Sequence, residues 1–186
     1  MKLPIGYDHF GTIREKNLDF VDKSLFIQEV LDDDITQVSV ITRPRRFGKT
    51  FNLSILHHFL APKVNGQSTQ GLFEGLKIAE LGEPYIQHQG KYPVIFISFK
   101  DIKYTDYLSA YENVCNLISY VYSTHQELLS SSKVADHQKK IFESILEERA
   151  TKPSIESALF NLTDMLYRHY QVKPWLLIDE YDTPIQ

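Results

Sequence analysis

The chain has 186 residues, 42% hydrophobic and 24% charged, with a formal net charge of −4. That length supports one domain with a real core, and the charge balance excludes a chain that binds polyanions over its whole surface. A single cysteine, Cys115, excludes an internal disulfide and argues against a structural zinc site.

The first residues lack the apolar stretch of a signal peptide, and no apolar run is long enough to cross a bilayer. A cytoplasmic protein with no membrane partner is expected. Residues 1–19 read as irregular, with Pro4, Gly6 and Gly11 as breakers. Asp22 stands where a helix N-cap belongs, before Leu25, Phe26, Val30 and Leu31 at helical spacing. Asp32-Asp33-Asp34 closes that segment and reads as a solvated turn rather than a metal site.

Val38, Val40 and Ile41 form a β-branched run that predicts a buried strand. Thr42–Gly48 is the loop after it. From Thr50 to about Leu60 the period is helical, and Pro62 and Gly66 end the helix. The stretch on to Gly75 reads as loop. Pro93–Phe99 is nearly all apolar, as in a parallel strand covered on both faces. Three helical segments follow. The first runs through Tyr107, Tyr111, Val114, Ile118 and Tyr122, and the second through Ile141, Phe142, Ile145 and Leu146. The third has Ser154 as N-cap and carries Ile155, Leu159, Leu162, Met165 and Leu166. Trp175–Ile178 predicts a third buried strand, ending on Asp179 and Glu180.

Strands alternating with helices predict an α/β fold with a mostly parallel sheet. Right-handed crossovers place the C-terminal ends of the strands along one edge, where open α/β sheets bind ligands. The 42–48 loop and the Asp179-Glu180 pair are both expected there. The segments are therefore an N-terminal part at 1–35, a phosphate-loop unit at 36–60, a second core strand at 92–100, a helical region at 104–170 and the Asp-Glu strand at 175–182.

The stretch Arg43-Pro44-Arg45-Arg46-Phe47-Gly48-Lys49-Thr50 ends like the phosphate-binding (Walker A) pattern G-x-x-x-x-G-K-(S/T). Average residue usage gives Gly-Lys-Ser/Thr in roughly one chain in ten of this size, so the motif needs its strand–loop–helix context. Gly48 lets backbone N–H groups approach phosphate oxygens. Lys49 reaches the β- and γ-phosphates as a point charge, and the Thr50 hydroxyl ligates Mg²⁺. Arg46, Phe47, Gly48, Lys49 and Thr50 are the candidate nucleotide-binding residues. Arg43 replaces the first glycine, and a residue before proline is held extended, so the loop enters differently from the standard turn. Arg45 and Arg46 add positive charge that could meet phosphate, a nucleic-acid backbone or an acidic neighbour on the protein itself.

The Asp179-Glu180 pair has a matching use (Walker B). Asp179 would hold Mg²⁺ opposite Thr50, and Glu180 would orient and deprotonate the attacking water. Lys49 and the metal would neutralise charge developing on the γ-phosphate. Asp182 is a weaker candidate for the same site. His57 and His58 read as surface or packing residues, and the tyrosines from Tyr104 to Tyr122 as core. The absence of an Asn-Lys-x-Asp motif favours ATP over GTP.

Across its whole length the chain resembles the AAA-ATPase-like family, mostly bacterial. The resemblance rests on Leu3-Pro4-Ile5-Gly6-Tyr7, Phe20-Val21-Asp22-Lys23-Ser24, the 42–50 string, and Leu72-Phe73-Glu74-Gly75-Leu76-Lys77-Ile78. It extends through Tyr92-Pro93-Val94-Ile95-Phe96 and Leu177-Ile178-Asp179-Glu180-Tyr181-Asp182-Thr183-Pro184-Ile185. It implies a P-loop NTPase three-layer sandwich, with a helical segment between the second and third core strands and ATP and Mg²⁺ as ligands. It also implies that Arg43 is the family's own variant of the loop. Family members are usually longer and often continue into a restriction-endonuclease-like nuclease domain, which would be the route to a nucleic-acid partner. The resemblance puts a further core strand after residue 186, so the sheet is expected to be incomplete here. A nucleotide-gated module without turnover and a truncated remnant of a longer ATPase are the alternatives, and the sequence leaves a homo-oligomer open.

Overall fold

The computed structural model describes residues 6–33, 36–42, 47–100, 102 and 106–182. They group into two compact units, residues 1–92 and 93–186. Among the described residues the chain is α/β, with one parallel strand pair and one antiparallel hairpin.

The first unit is built around α3 (Lys49–Leu60), which buries Ile55, Leu56, Phe59 and Leu60. Helix α1 (Phe10–Glu15) packs against it, so the breaker reading of residues 1–19 fails at Gly11. His9 caps this helix, its Nδ1 accepting from the Thr12 N–H at 3.4 Å. Gly11 is present for packing: a Cβ there would lie 2.7 Å from His58 Nε2. The Phe10 N–H donates to Ser54 Oγ at 2.9 Å, and the Phe10 ring packs on Phe73 at 4.9 Å between centroids.

His58 is 2% exposed, and its Nδ1 lies 2.7 Å from the Ser54 carbonyl oxygen. A carbonyl only accepts, so Nδ1 carries the hydrogen and Nε2 faces Gly11 as a lone pair. Burial pushes the His58 pKa down to about 4, against the Ser54 bond that raises it, with His9 adding repulsion. His9 and His57 are the titratable rings around it, at 4.6 and 5.8 Å. The folded pKa lies below the unfolded value of 6.5, so this group's stability is complete above that value and is lost as pH falls towards 4. The loss over that window is about 3 kcal/mol. Urea unfolding at pH 7 and pH 4.5 should show a smaller pH dependence in His58→Leu than in the wild type. Parallel profiles would contradict the assignment.

Helix α2 (Phe26–Asp32) starts later than the sequence suggests, with Leu25 at its N-cap position and no side-chain cap. Asp22 instead accepts the Ser24 N–H at 2.8 Å and the Lys77 N–H at 2.9 Å. Residues 36–42 form no strand. Val38 is 77% and Val40 62% exposed, and no described strand offers this run a ladder partner. β-Branched residues favour a strand only where neighbours and a covering layer exist to pack them. Residues 63–68, read as loop, form a hairpin of β1 (Lys63–Val64) and β2 (Gln67–Ser68). Its turn is Asn65-Gly66 with φ of 52° and 79°, the two left-handed residues a tight hairpin needs. Helix α4 (Lys77–Glu80) follows.

The second unit holds β3 (Val94–Ser98) and β4 (Trp175–Asp179), paired in parallel with Ile95 opposite Leu176 and Ser98 opposite Asp179. Both strands stand where the sequence predicts them, but β4 is not the buried strand expected: Leu176 is 45% and Ile178 39% exposed on one face. The crossover runs through α5 (Tyr107–Ser123), α6 (Asp136–Leu146), α7 (Lys152–Glu156) and α8 (Ala158–Tyr170). Asp106 caps α5 by accepting the Ser109 N–H at 2.9 Å. Ile95, Ile97, Tyr122, Phe142, Leu162 and Leu166 belong to one buried cluster. The Tyr122 hydroxyl is satisfied by the Ala158 carbonyl at 2.8 Å. Gln138 donates to Asp164 Oδ2 and ties α6 to α8, and Arg168 of α8 donates to the same oxygen.

The helix expected to start at Ser154 is two helices. Thr151 is the N-cap residue of α7, Ser154 lies inside it, and Ser157 separates it from α8. Tyr122 is core as expected, but Tyr107 is 64% exposed and stacks on Tyr111 at 6.0 Å. These two rings and Lys152 edge an apolar cleft of about 360 Å³ by Ile97 and Phe99.

Candidate functional site

Gly48 precedes α3 with φ 78° and ψ 31°. In the left-handed region a Cβ is strained, so glycine belongs here. The Gly48 carbonyl accepts the Asn52 N–H at 2.8 Å and starts the helical ladder. Lys49 and Thr50 are therefore the first two residues of α3, where backbone N–H groups lack intrahelical acceptors and the helix end is positive. Phe47, 59% exposed, stands just before them. Four of the five candidate nucleotide-binding residues are thus contiguous at one helix start. The fifth, Arg46, and Arg43, Pro44 and Arg45 lie outside the described residues.

Sequence reading missed Lys23. Its Nζ donates to the Phe47 carbonyl at 3.2 Å, and it would lie 3.5 Å from a Cβ on Gly48. The available signal was a lysine between two residues, Asp22 and Ser24, of the kind that cap backbone. Asn52 was missed as well; its buried Oδ1 has no hydrogen-bond partner.

The second unit carries the carboxylates. Asp179 is the last residue of β4, 3% exposed, and its carbonyl accepts the Phe99 N–H at 3.0 Å. Its Oδ2 is buried without a hydrogen-bond partner, a costly state for a polar atom unless a ligand meets it. Glu180 follows in a half-buried position with φ 51°, a left-handed backbone for a residue with a full side chain. Asp182 is exposed and is engaged within the protein. Among the described residues no three or more His, Cys, Asp or Glu side chains cluster as a ready metal site. No helix among them is long and apolar enough to cross a membrane.

A family model described as Predicted AAA-ATPase matches residues 4–186. No curated protein matches the chain, and no solved structure does.

Proposed function

The chain belongs to the AAA-ATPase-like family, and we propose that it binds ATP at the start of α3 and hydrolyses its β–γ phosphoanhydride bond. The carrying observation is a left-handed glycine followed at once by Lys49 and Thr50 on the first turn of a long helix. The first-turn N–H groups of α3 lack intrahelical acceptors and Lys49 adds a cation beside them, which suits an anion with closely spaced phosphates. In this reading the backbone N–H groups of Phe47 and Gly48 meet the phosphates, and Lys49 neutralises the terminal ones. Glu180 takes the proton of the attacking water.

Thr50 in the first unit and Asp179 in the second are each proposed as Mg²⁺ ligands, and the ion when bound would supply positive charge to the β- and γ-phosphates. The orphaned, buried Asp179 Oδ2 fits a hard cation. Mg²⁺ characteristically takes one or two protein ligands and completes its shell with phosphate and water. The three-layer P-loop sandwich is the fold this reading implies.

The test is thermal unfolding of the chain with and without ATP and Mg²⁺, beside a phosphate-release assay. A ligand at about a hundred times its Kd stabilises the folded state by about 2.7 kcal/mol, which raises the transition measurably. No shift at millimolar ATP would overturn the proposal. A shift without phosphate release would leave a nucleotide-gated module in its place.

A further inference from the structure

We infer that Lys23 is a second lysine of the phosphate site, reaching the nucleotide's terminal phosphates from the N-terminal segment. This inference rests on the nucleotide-binding reading above.

The residues on either side of Lys23 are committed to architecture. The Asp22 carboxylate accepts two backbone N–H groups, from Ser24 and from Lys77. Burial raises the Asp22 pKa, but the Lys77 and Ser24 N–H bonds, the Ser24 hydroxyl and the Lys77 charge together outweigh it and leave the pKa lowered. Ser24 is fully buried and its Oγ accepts the Ile78 N–H at 3.1 Å. The backbone at 22–24 is thereby pinned to the start of α4 on both sides of Lys23.

Lys23 itself extends towards the phosphate loop. Its one hydrogen bond among the described residues is to the Phe47 carbonyl, and no ion pair neutralises it there. The N-terminal end of α3 is positive, Lys49 is its first residue, and Lys23 brings a second cation against the glycine that starts it. Like charges gathered around one volume are stabilised when an anion enters it. A polyphosphate does so better than a monophosphate, because two ammonium groups can meet separate phosphate oxygens. The Phe47 carbonyl, accepting from Nζ, holds the Lys23 ammonium beside Gly48, much as Asp22 and Ser24 hold its backbone.

The experiment compares the wild-type chain with Lys23→Ala, Lys23→Arg and Lys49→Ala by calorimetric titration with ATP, ADP and AMP. Lys23→Ala should weaken ATP binding about tenfold and ADP less, the scale of one charge-assisted contact at an exposed position. AMP should be unaffected, and Lys23→Arg should recover most of the ATP affinity. The unliganded melting temperature should not move, because the ammonium is exposed. The difference should shrink in high salt. Wild-type ATP affinity in Lys23→Ala, with Lys49→Ala inactive, would overturn the Lys23 assignment and leave the nucleotide site standing. A uniform loss for ATP, ADP and AMP with a lowered unliganded melting temperature would make Lys23 structural and overturn it too. No nucleotide binding by the wild type would overturn both readings.

Discussion

Replacing Lys49 with Ala is expected to weaken ATP binding by about a hundredfold or more, the loss of two charge-assisted contacts. The fold gives this substitution little reason to be disruptive. Lys49 occupies the first turn of α3, where alanine is well tolerated. No hydrogen bond or ion pair holds its ammonium among the described residues, and the side chain is only half-buried. The packing of the unit rests on Ile55, Leu56, Phe59 and Leu60, further along the helix and fully inside. The unliganded melting temperature should therefore stay near the wild-type value while the ATP-induced shift disappears. Lys49→Arg should not restore affinity, because a planar guanidinium is larger than the ammonium and fits a tight backbone cradle poorly. Titration calorimetry at constant salt reads this directly. An unchanged ATP affinity in Lys49→Ala would remove the start of α3 from the binding site.

Lys49 was legible because its evidence is local. A contiguous Gly48-Lys49-Thr50 string runs into a helical period that the structure keeps to Leu60. The β3 and β4 strands were legible for a similar reason: each is a short apolar run that reports a strand whatever surrounds it. Several misreadings concern residues whose role is set from far along the chain. Gly11 looks like a breaker by type, but it sits in a helix because the His58 ring, 47 positions on, fills the space its Cβ would need. Asp22 has the chemistry of a helix cap and does cap backbone, yet one of its donors, the Lys77 N–H, lies 55 residues away. Val38 and Val40 carry strand propensity without a partner to use it. The Asn65-Gly66 hairpin is different, since that dipeptide is a strong local turn signal and was readable. Lys23 carried only a weak signal in the sequence, its place between Asp22 and Ser24, and its neighbours' distant partners at Lys77 and Ile78 give that signal its meaning.

The same division runs through the carboxylate pair. That Asp179 and Glu180 close an apolar strand follows from their position in sequence. That Asp179 is buried with an unpartnered oxygen does not, because burial depends on packing around the strand end. Nor does the left-handed backbone of Glu180, which neither its type nor its neighbours announce. Glutamate in that region costs about 1 kcal/mol or more relative to glycine. Strain of this kind persists where the side chain is needed at that place, and it is a reason to ask what the side chain does.

Two substitutions separate the carboxylate from its backbone. Glu180→Gln keeps the shape and the strain and removes the base. It is expected to bind ATP as the wild type does, while phosphate release falls about 10²–10⁴-fold, the usual share of a general base. Glu180→Gly removes the carboxylate and the strain together. It is expected to lose turnover to the same degree and to gain about 1 kcal/mol of stability, read as a higher urea midpoint. The pair of results has a specific meaning: stability is given up at residue 180 to hold a carboxylate in one position. Equal turnover in Glu180→Gln would take Glu180 out of the chemistry. A Glu180→Gly variant no more stable than the wild type would show instead that the left-handed turn at the end of β4 is held without strain, and the backbone would then say nothing about function.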